Sequence, residues 1–482
     1  MTKDMTTGRP LRLIMAFCLP LMLGSLFQQF YSMADTIIVG RFVSVEALAA
    51  VGSTGSLNYL VIGFATGLCS GFSIPLSQAF GAQDHSALRR YTANAAWMTI
   101  GCAVVLTAVT VAATRPILIL TRTPADILDL ADVYICTIFA GIPATLLYNM
   151  CSAIMRALGD SRRPLYFLLF ASVLNIALDL VCILFFGMGV FGAAFATVVS
   201  QAVAGAASLW YLARTFRELR WSREEGRISA YHCFRLCAMG LPMGLQCSIT
   251  AIGSVVLQAA VNGLGSAIVA AQTAGSKAGM ILSVPLESIG TAMTTYAGQN
   301  QGARKLERVR QGVREALLVS AAYSVAAFVI LHFTDRFLIG LFVDAGETAI
   351  IANAQRFLFW NSVFFLLLGT LIVYRYTLQG LGFSTLAMFA GVAEMLARAL
   401  VGFWLVDRIG YLAACLASPV AWVFACVFLI PAYIWAMHRL AVQFAAERAA
   451  RLEQQLAQHA PVPFCAVKDG GKPAGSLPRT GA

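Results

Sequence analysis

Uncharged runs long enough to cross a bilayer constrain this chain more than any other feature. None of Asp, Glu, Lys or Arg occurs between Leu13 and Ala34, between Ala47 and Gln83, or between Leu236 and Ser276. A bilayer core takes roughly 20 apolar residues per helix, and in lipid every backbone N–H and C=O must be bonded within the chain, so such runs are helices. Tyr91–Thr114 and Val133–Met155 follow, then Pro164–Leu178, broken only by Asp179. Leu180–Ala213 closes that helix and supplies another, giving six spans. After the polar stretch Arg214–Arg235, a second six begins with Leu236–Ser276 and a segment to about Ala297 punctuated by Lys277 and Glu287. Ala316–Thr334, Phe357–Tyr374, Tyr376–Ala393 and Ile409–Met437 complete it. The predicted fold class is an all-α polytopic membrane protein of twelve transmembrane helices.

Composition agrees. Hydrophobic residues make up 59% and charged residues 12%, with a mean hydropathy of +0.76. A soluble protein this apolar could not cover its surface, whereas lipid can. The net charge of +11 does not point to nucleic acid, because Lys and Arg sit in short loops between apolar segments. With the N-terminus inside, the inner segments before the tail hold eighteen Lys and Arg against five in the outer loops (Arg41, Arg115, Arg122, Arg336 and Arg408). That bias predicts that both termini are cytoplasmic. The twelve cysteines lie mostly inside apolar segments, where Cys acts as a small hydrophobe. Cys233 and Cys237, the closest pair, lack the further ligands of a zinc site, so no metal site is expected there. The first apolar run reaches spanning length without a small-residue cleavage pattern, so no cleavable signal is expected.

The chain repeats. Leu19-Pro20 recurs as Leu241-Pro242, Gln78-x-x-Gly81-Ala82 as Gln299-x-x-Gly302-Ala303, and Arg156-Ala-Leu-Gly159-Asp-Ser161 as Gln379-Gly-Leu-Gly382-Phe-Ser384. One six-helix unit is therefore duplicated, and an even number of spans makes the copies parallel bundles, a common transporter plan with the path between them. The expected division is a cytoplasmic N-terminus (1–12), an N-lobe of helices 1–6 (13–213), a cytoplasmic interlobe linker (214–235), a C-lobe of helices 7–12 (236–440) and a cytoplasmic tail (441–482). The tail reads as partly helical, then disordered from about Pro461.

Ionisable groups at membrane depth are expensive and mark candidate sites. Asp35 ends the first uncharged run. Asn175 and Asp179 are four apart and share one helix face. If Asp35 reaches the same cavity, two carboxylates in a dry pocket could share a proton, or oxygen ligands could hold a small cation. Lys277 and Glu287 share the eighth span ten residues apart, nearly three turns, a spacing that could set them on one face; Glu394 and Arg398 form an i,i+4 pair in the eleventh, which mutual or cross-helix neutralisation explains. There is no phosphate-binding loop, since Gly471-Lys472 is followed by proline, so ATP bound by this chain is not the energy source. No nucleophile motif, metal-ligand cluster or dinucleotide fingerprint is present, and an enzyme is not expected.

At Gln28-Gln29…Asp35-Thr36…Gly40, Ala47-Leu-Ala-Ala-Val-Gly52, Gln78-x-x-Gly81-Ala82, Arg156-Ala-Leu-Gly159-Asp160 and Gln299-Asn-Gln-Gly302-Ala303, the chain closely resembles the multidrug and toxic compound extrusion (MATE) family over about residues 10–440. The resemblance implies two six-helix bundles around a V-shaped cavity in a bacterial inner membrane. It also implies export of cationic or amphipathic small molecules against inflow of H⁺ or Na⁺, with no other cofactor and no nucleic-acid partner; a monomer is expected. The DinF-type branch places its cation site on residues matching Asp35, Asn175, Asp179 and Thr197, with Gln29 nearby. Gln29, Tyr31, Lys277 and Glu287 are the candidates for the substrate cavity. The NorM-type C-lobe acids fall here at about Thr250 and within Phe364–Leu368, so a C-lobe sodium site is not expected. A lipid-linked oligosaccharide flippase of the same superfamily is the alternative, supported by Lys277, Arg375 and Arg398. A scaffold or receptor would leave the N-lobe polar constellation unexplained.

Overall fold

The computed structural model describes residues 4–121, 123–343 and 346–459. The first half comprises α1 (Pro10–Phe42), α2 (Val45–Gly81), α3 (His85–Leu120), α4 (Ala125–Ala140), α5 (Ile142–Ala157), α6 (Arg162–Leu180) and α7 (Gly189–Thr215). The second comprises α8 (Ala230–Asn262), α9 (Ser266–Gly302), α10 (Leu306–Gly340), α11 (Thr348–Val363), α12 (Phe365–Gly380), α13 (Ser384–Leu400), α14 (Val406–Ile409) and α15 (Tyr411–His459). Among the described residues ten helical stretches are each long and apolar enough to span a membrane. Two bent pairs, α4 with α5 (45°) and α11 with α12 (52°), pass jointly, which brings the total to twelve. Phe185, Leu120 and Phe333 stand more than three-quarters exposed on the outside, the surface lipid would cover.

Several boundaries differ from the sequence expectation. The fourth span starts at Ala125 and breaks at Gly141, and the tenth starts at Thr348. The eleventh begins at Ser384 rather than Tyr376, because α12 continues through Arg375 and Tyr376 to Gly380. A charge that looks like the end of a span is tolerated inside one when it is paired, and Arg375 is paired with Glu394. The turn that does end α12 uses Gly382 at φ 87°, and its repeat partner Gly159 has φ 83°. Both take a conformation that favours glycine, which is why the motif recurs.

The repeat motifs form the seam between the lobes. The Gly81 Cα faces the Gln299 carbonyl, and Gly302 faces the Gln78 carbonyl, so close that a Cβ at either would overlap the oxygen. Gln78 Nε2 donates to the Gly380 carbonyl at 3.0 Å, and Gln299 Nε2 donates to the Ala157 carbonyl at 2.9 Å. Each half thus gives the other the same contacts. Further along, Gly67 and Gly71 of α2 lie against Gly244 and Gly240 of α8, with the Phe64 and Phe72 rings seated on those two α8 glycines, small-residue packing that brings the helices close together. Beyond that point α2 loses its cover: Gly52 and Gly55 have nothing within 4 Å, and Ser53, Ser56 and Tyr59 are exposed. The lobes meet at the end where α2 and α9 finish and part toward the other.

The N-terminal segment and the linker brace this closed end. The Met5 N–H donates to Gln299 Oε1 at 2.9 Å, Asn300 Nδ2 donates to the Met5 carbonyl at 3.1 Å, and Lys305 Nζ donates to the Thr6 carbonyl at 3.0 Å. The linker lies over α3: Arg89 pairs with Glu225 at 2.8 Å, and the Ser229 N–H donates to Asn94 Oδ1 at 2.8 Å. The Arg89 guanidinium, helped by the Ser222 N–H, holds the Glu225 carboxyl down at about 2. Because that value is depressed, the clasp is fully formed at neutral pH and loosens only as pH falls toward it. The chain to Met437 is one compact unit, and residues from His438 form another, described as the continuation of α15 to His459. The expected disordered run from Pro461 lies outside the described residues.

Gly302→Val is expected to weaken the closed end by about 1–3 kcal/mol, the usual cost of overpacking. Spin labels placed across the seam should then report a broadened, longer distance distribution; an unchanged distribution would contradict the seam as described.

Candidate functional site

Asp35 of α1, Asn175 and Asp179 of α6 and Thr197 of α7 converge in the first lobe. Asp179 is 0% exposed and Asn175 is 1% exposed. The Asn175 amide is oriented by its neighbours: its nitrogen donates to Asp179 Oδ2 at 3.2 Å, and its oxygen accepts from the Thr197 N–H at 3.2 Å, with Thr197 Oγ1 at 3.3 Å. Asp35 and Asp179 approach within hydrogen-bonding range of one another. Yet Asp35 Oδ1 and Asp179 Oδ1 are buried with no donor among the described residues. Carboxylates only accept, and two facing each other in a dry site repel unless a proton or a cation lies between them. A π-helical turn, Val181–Phe185, follows Asp179 directly; such turns are enriched at functional sites.

Tyr31 belongs to this cluster rather than to the substrate cavity where it was expected. It stands one turn before Asp35 on α1, close to Thr197 and to both carboxyls. Tyr134 of α4 lies near Asp35, Tyr31 and Asp179. No sequence signal marks it, since it sits in a run that reads as uniformly apolar.

A second site lies between the lobes above the seam: a cavity of about 450 Å³ with a mixed polar and apolar wall. Gln28, Asn149, Arg156 and Gln201 line it from one side and Gln246, Glu287, Tyr376 and Gln379 from the other. Glu287 accepts from the Tyr376 hydroxyl at 2.7 Å, and Gln379 Nε2 donates to Gln246 Oε1 at 2.9 Å. Arg156 has no carboxylate partner among the described residues. Besides Tyr31, two expected members are not in this wall. Gln28 takes the place assigned to Gln29, since neighbours on a helix point about 100° apart. Lys277 is exposed elsewhere on α9; ten residues is about 2.8 turns, which turns it some 80° from Glu287. Arg156 and Tyr376 were read as loop and span residues, and only the fold reveals that they face one space.

Behind this wall, Glu394 bonds Arg375 and also lies 3.5 Å from Arg398. The cross-helix partner Arg375 makes this a triad, with two guanidiniums on one carboxylate. Arg375 Nε and Arg398 Nη1 are left buried without an acceptor. Among the described residues no group of three or more His, Cys, Asp or Glu is placed to hold a metal ion.

The MatE family model matches residues 20–181 and again residues 242–404, one match per lobe. The chain belongs to the MATE family of transporters. Its relatives include the probable multidrug resistance protein YpnP of Bacillus subtilis, 28% identical over 83% of this chain and 87% of that protein. An FAD transporter of Shewanella oneidensis is 25% identical over 69% of this chain and 74% of that protein. A solved outward-facing structure of a multidrug resistance MATE transporter has the same fold, with a TM-score of 0.84 and 22% identity over 91% of this chain and 98% of that one.

Asp179→Asn gives Asp35 the donor it lacks while keeping an oxygen for the Asn175 amide. It is therefore expected to stabilise the detergent-solubilised MATE chain by about 1 kcal/mol, the worth of a buried hydrogen bond. A fall in its unfolding midpoint would contradict the facing-carboxylate geometry.

Proposed function

We propose that this MATE chain is a secondary antiporter that exports cationic or amphipathic small molecules in exchange for H⁺ or Na⁺. The observation that carries this reading is the facing carboxyl pair Asp35 and Asp179, with no donor between them. One helix links that pair to the cavity: α1 carries Gln28 in the cavity wall and Asp35 in the pair, seven residues or about 10 Å apart. α7 does the same with Gln201 and Thr197, one turn apart. A proton or sodium ion that neutralises the pair thus acts on helices that also touch the substrate. Pro20 interrupts the ladder of α1, so the part beyond it can swing.

Lys and Arg crowd the closed end, which supports cytoplasmic termini in a bacterial inner membrane and a cavity open to the outside. The four cation-site residue types favour the DinF-type branch over the NorM-type. The reading needs neither enzymatic chemistry nor a bound cofactor, and a monomer suffices, since both halves lie in one chain. A ligand moves such an equilibrium only by its differential affinity for the two states: the ion favours one, and the substrate in the cavity the other.

The second reading is a flippase for a lipid-linked, anionic substrate. It is favoured by the surplus positive charge of Arg375, Glu394 and Arg398, and by kinship with a protein named as a transporter of FAD.

Proteoliposomes holding the purified chain and a cationic dye separate these readings. Efflux is expected under ΔpH alone or under a sodium gradient alone, and Asp35→Asn should lower it at least about tenfold. Full gradient-driven efflux by that variant would refute the coupling assignment. Translocation of a fluorescent anionic lipid without dye efflux would favour the flippase.

A further inference from the structure

A cavity of a different kind lies outside the interlobe space. Beneath the interlobe linker, α3, α5 and α7 enclose an apolar groove of about 720 Å³. Its lining on α3 runs down one face from Thr92 to Val104, twelve residues or about 18 Å of helix. Ile100, Val104 and Leu209 are all at least half exposed, so the groove opens sideways onto the apolar flank of the lobe. Leu147 and Met150 form its floor on α5.

One end of the groove differs from the rest. Arg220 and Trp221 of the linker close it, and both are exposed. The roof they belong to is fixed in place: the Trp97 indole donates to the Gly226 carbonyl at 3.1 Å, next to the Arg89–Glu225 and Asn94–Ser229 contacts. Of the linker carboxylates, Glu225 is held by Arg89, and Glu218 lies 4.0 Å from His85; Glu224 is exposed. Arg217, Arg220 and Arg223 have no carboxylate partner among the described residues.

We propose that this groove is a binding site for a bilayer phospholipid with an anionic headgroup, one acyl chain lying along α3 and the phosphate meeting Arg220. A long slot walled mostly by apolar side chains has room for a hydrocarbon chain but offers few hydrogen bonds to hold a drug in one pose. A tryptophan at the end of an apolar segment matches the headgroup level. Uncompensated arginines beside it favour a net negative headgroup over a zwitterionic one. The site is separate from the interlobe cavity and does not depend on which substrate that cavity exports.

The full-length chain, delipidated in detergent, would be titrated with phosphatidylglycerol or phosphatidylcholine and bound lipid counted by native mass spectrometry. Phosphatidylglycerol is expected to bind at least about fivefold more tightly, the effect of one interfacial arginine. Arg220→Gln should erase that preference. Ala96→Phe, which fills the slot, should lower the affinity for both lipids; Val104→Trp does the same from a lipid-facing position where misfolding is not a concern. Equal affinity for the two lipids would overturn the proposal. So would a preference that survives Arg220→Gln, full binding in both filled variants, or no bound lipid at all.

Discussion

The architecture depends on a reciprocal contact between two glycines and two glutamines. Gly81 admits the Gln299 carbonyl, and Gly302 admits the Gln78 carbonyl. The amides of the same two glutamines then reach past each other, to Gly380 and Ala157. Because the chain is a duplication, one motif written twice supplies both sides of the joint. Such a seam is short, made of backbone and confined to one end. The glycine contacts between α2 and α8 extend the joint, with the Phe72 and Phe64 rings seated on Gly240 and Gly244. Two rigid bundles hinged in this way suit rocking about a fixed middle.

The shared scaffold carries unlike chemistry in its two halves. Asn175 of α6 corresponds to Arg398 of α13, and each helix runs into a π-helical turn, Val181–Phe185 and Val401–Leu405. One lobe faces carboxylate to carboxylate; the other sets two guanidiniums on one carboxylate. Both are unbalanced, with opposite sign. Acceptors lack donors in the first, and buried donors lack acceptors in the second. An uncompensated buried charge costs several kcal/mol, so each lobe is poised for a counter-charge that the described residues do not supply.

Much of this was legible in the sequence because the relevant signals are local or periodic. Spans follow from hydropathy, the seam from a repeat, and the Asn175–Asp179 face from four-residue spacing. The convergence of Asp35 and Thr197 on that face followed only from resemblance, since nothing in their spacing brings α1 and α7 to α6. What was not legible depended on tertiary pairing. Arg375 looked like the end of a span because its partner Glu394 lies on another helix. Tyr31 reads as a candidate for the substrate cavity, yet α1 turns it toward Thr197. Arg156 read as part of a loop motif, although it lines the cavity from the end of α5. The bends at Gly141 and Phe364 shifted two span boundaries, since a glycine or phenylalanine in an apolar run gives no sign of a 45° or 52° turn.

α1 is the element through which the two sites can act on each other. It packs on α6 where Gly24 meets Leu165 and Leu168, and its start is tied to the other lobe through Met5 and Thr6. A helix anchored at one end, interrupted at Pro20 and carrying a charge near its far end responds to any change in that charge with a tilt of the free part. When Asp35 and Asp179 repel, separation is favoured; when a proton or cation bridges them, approach is favoured. Gln28 lies between the proline and the aspartate, so either movement alters the cavity wall. Under the antiport proposed above, the ion and the substrate need not meet, because α1 would carry the effect of each to the other.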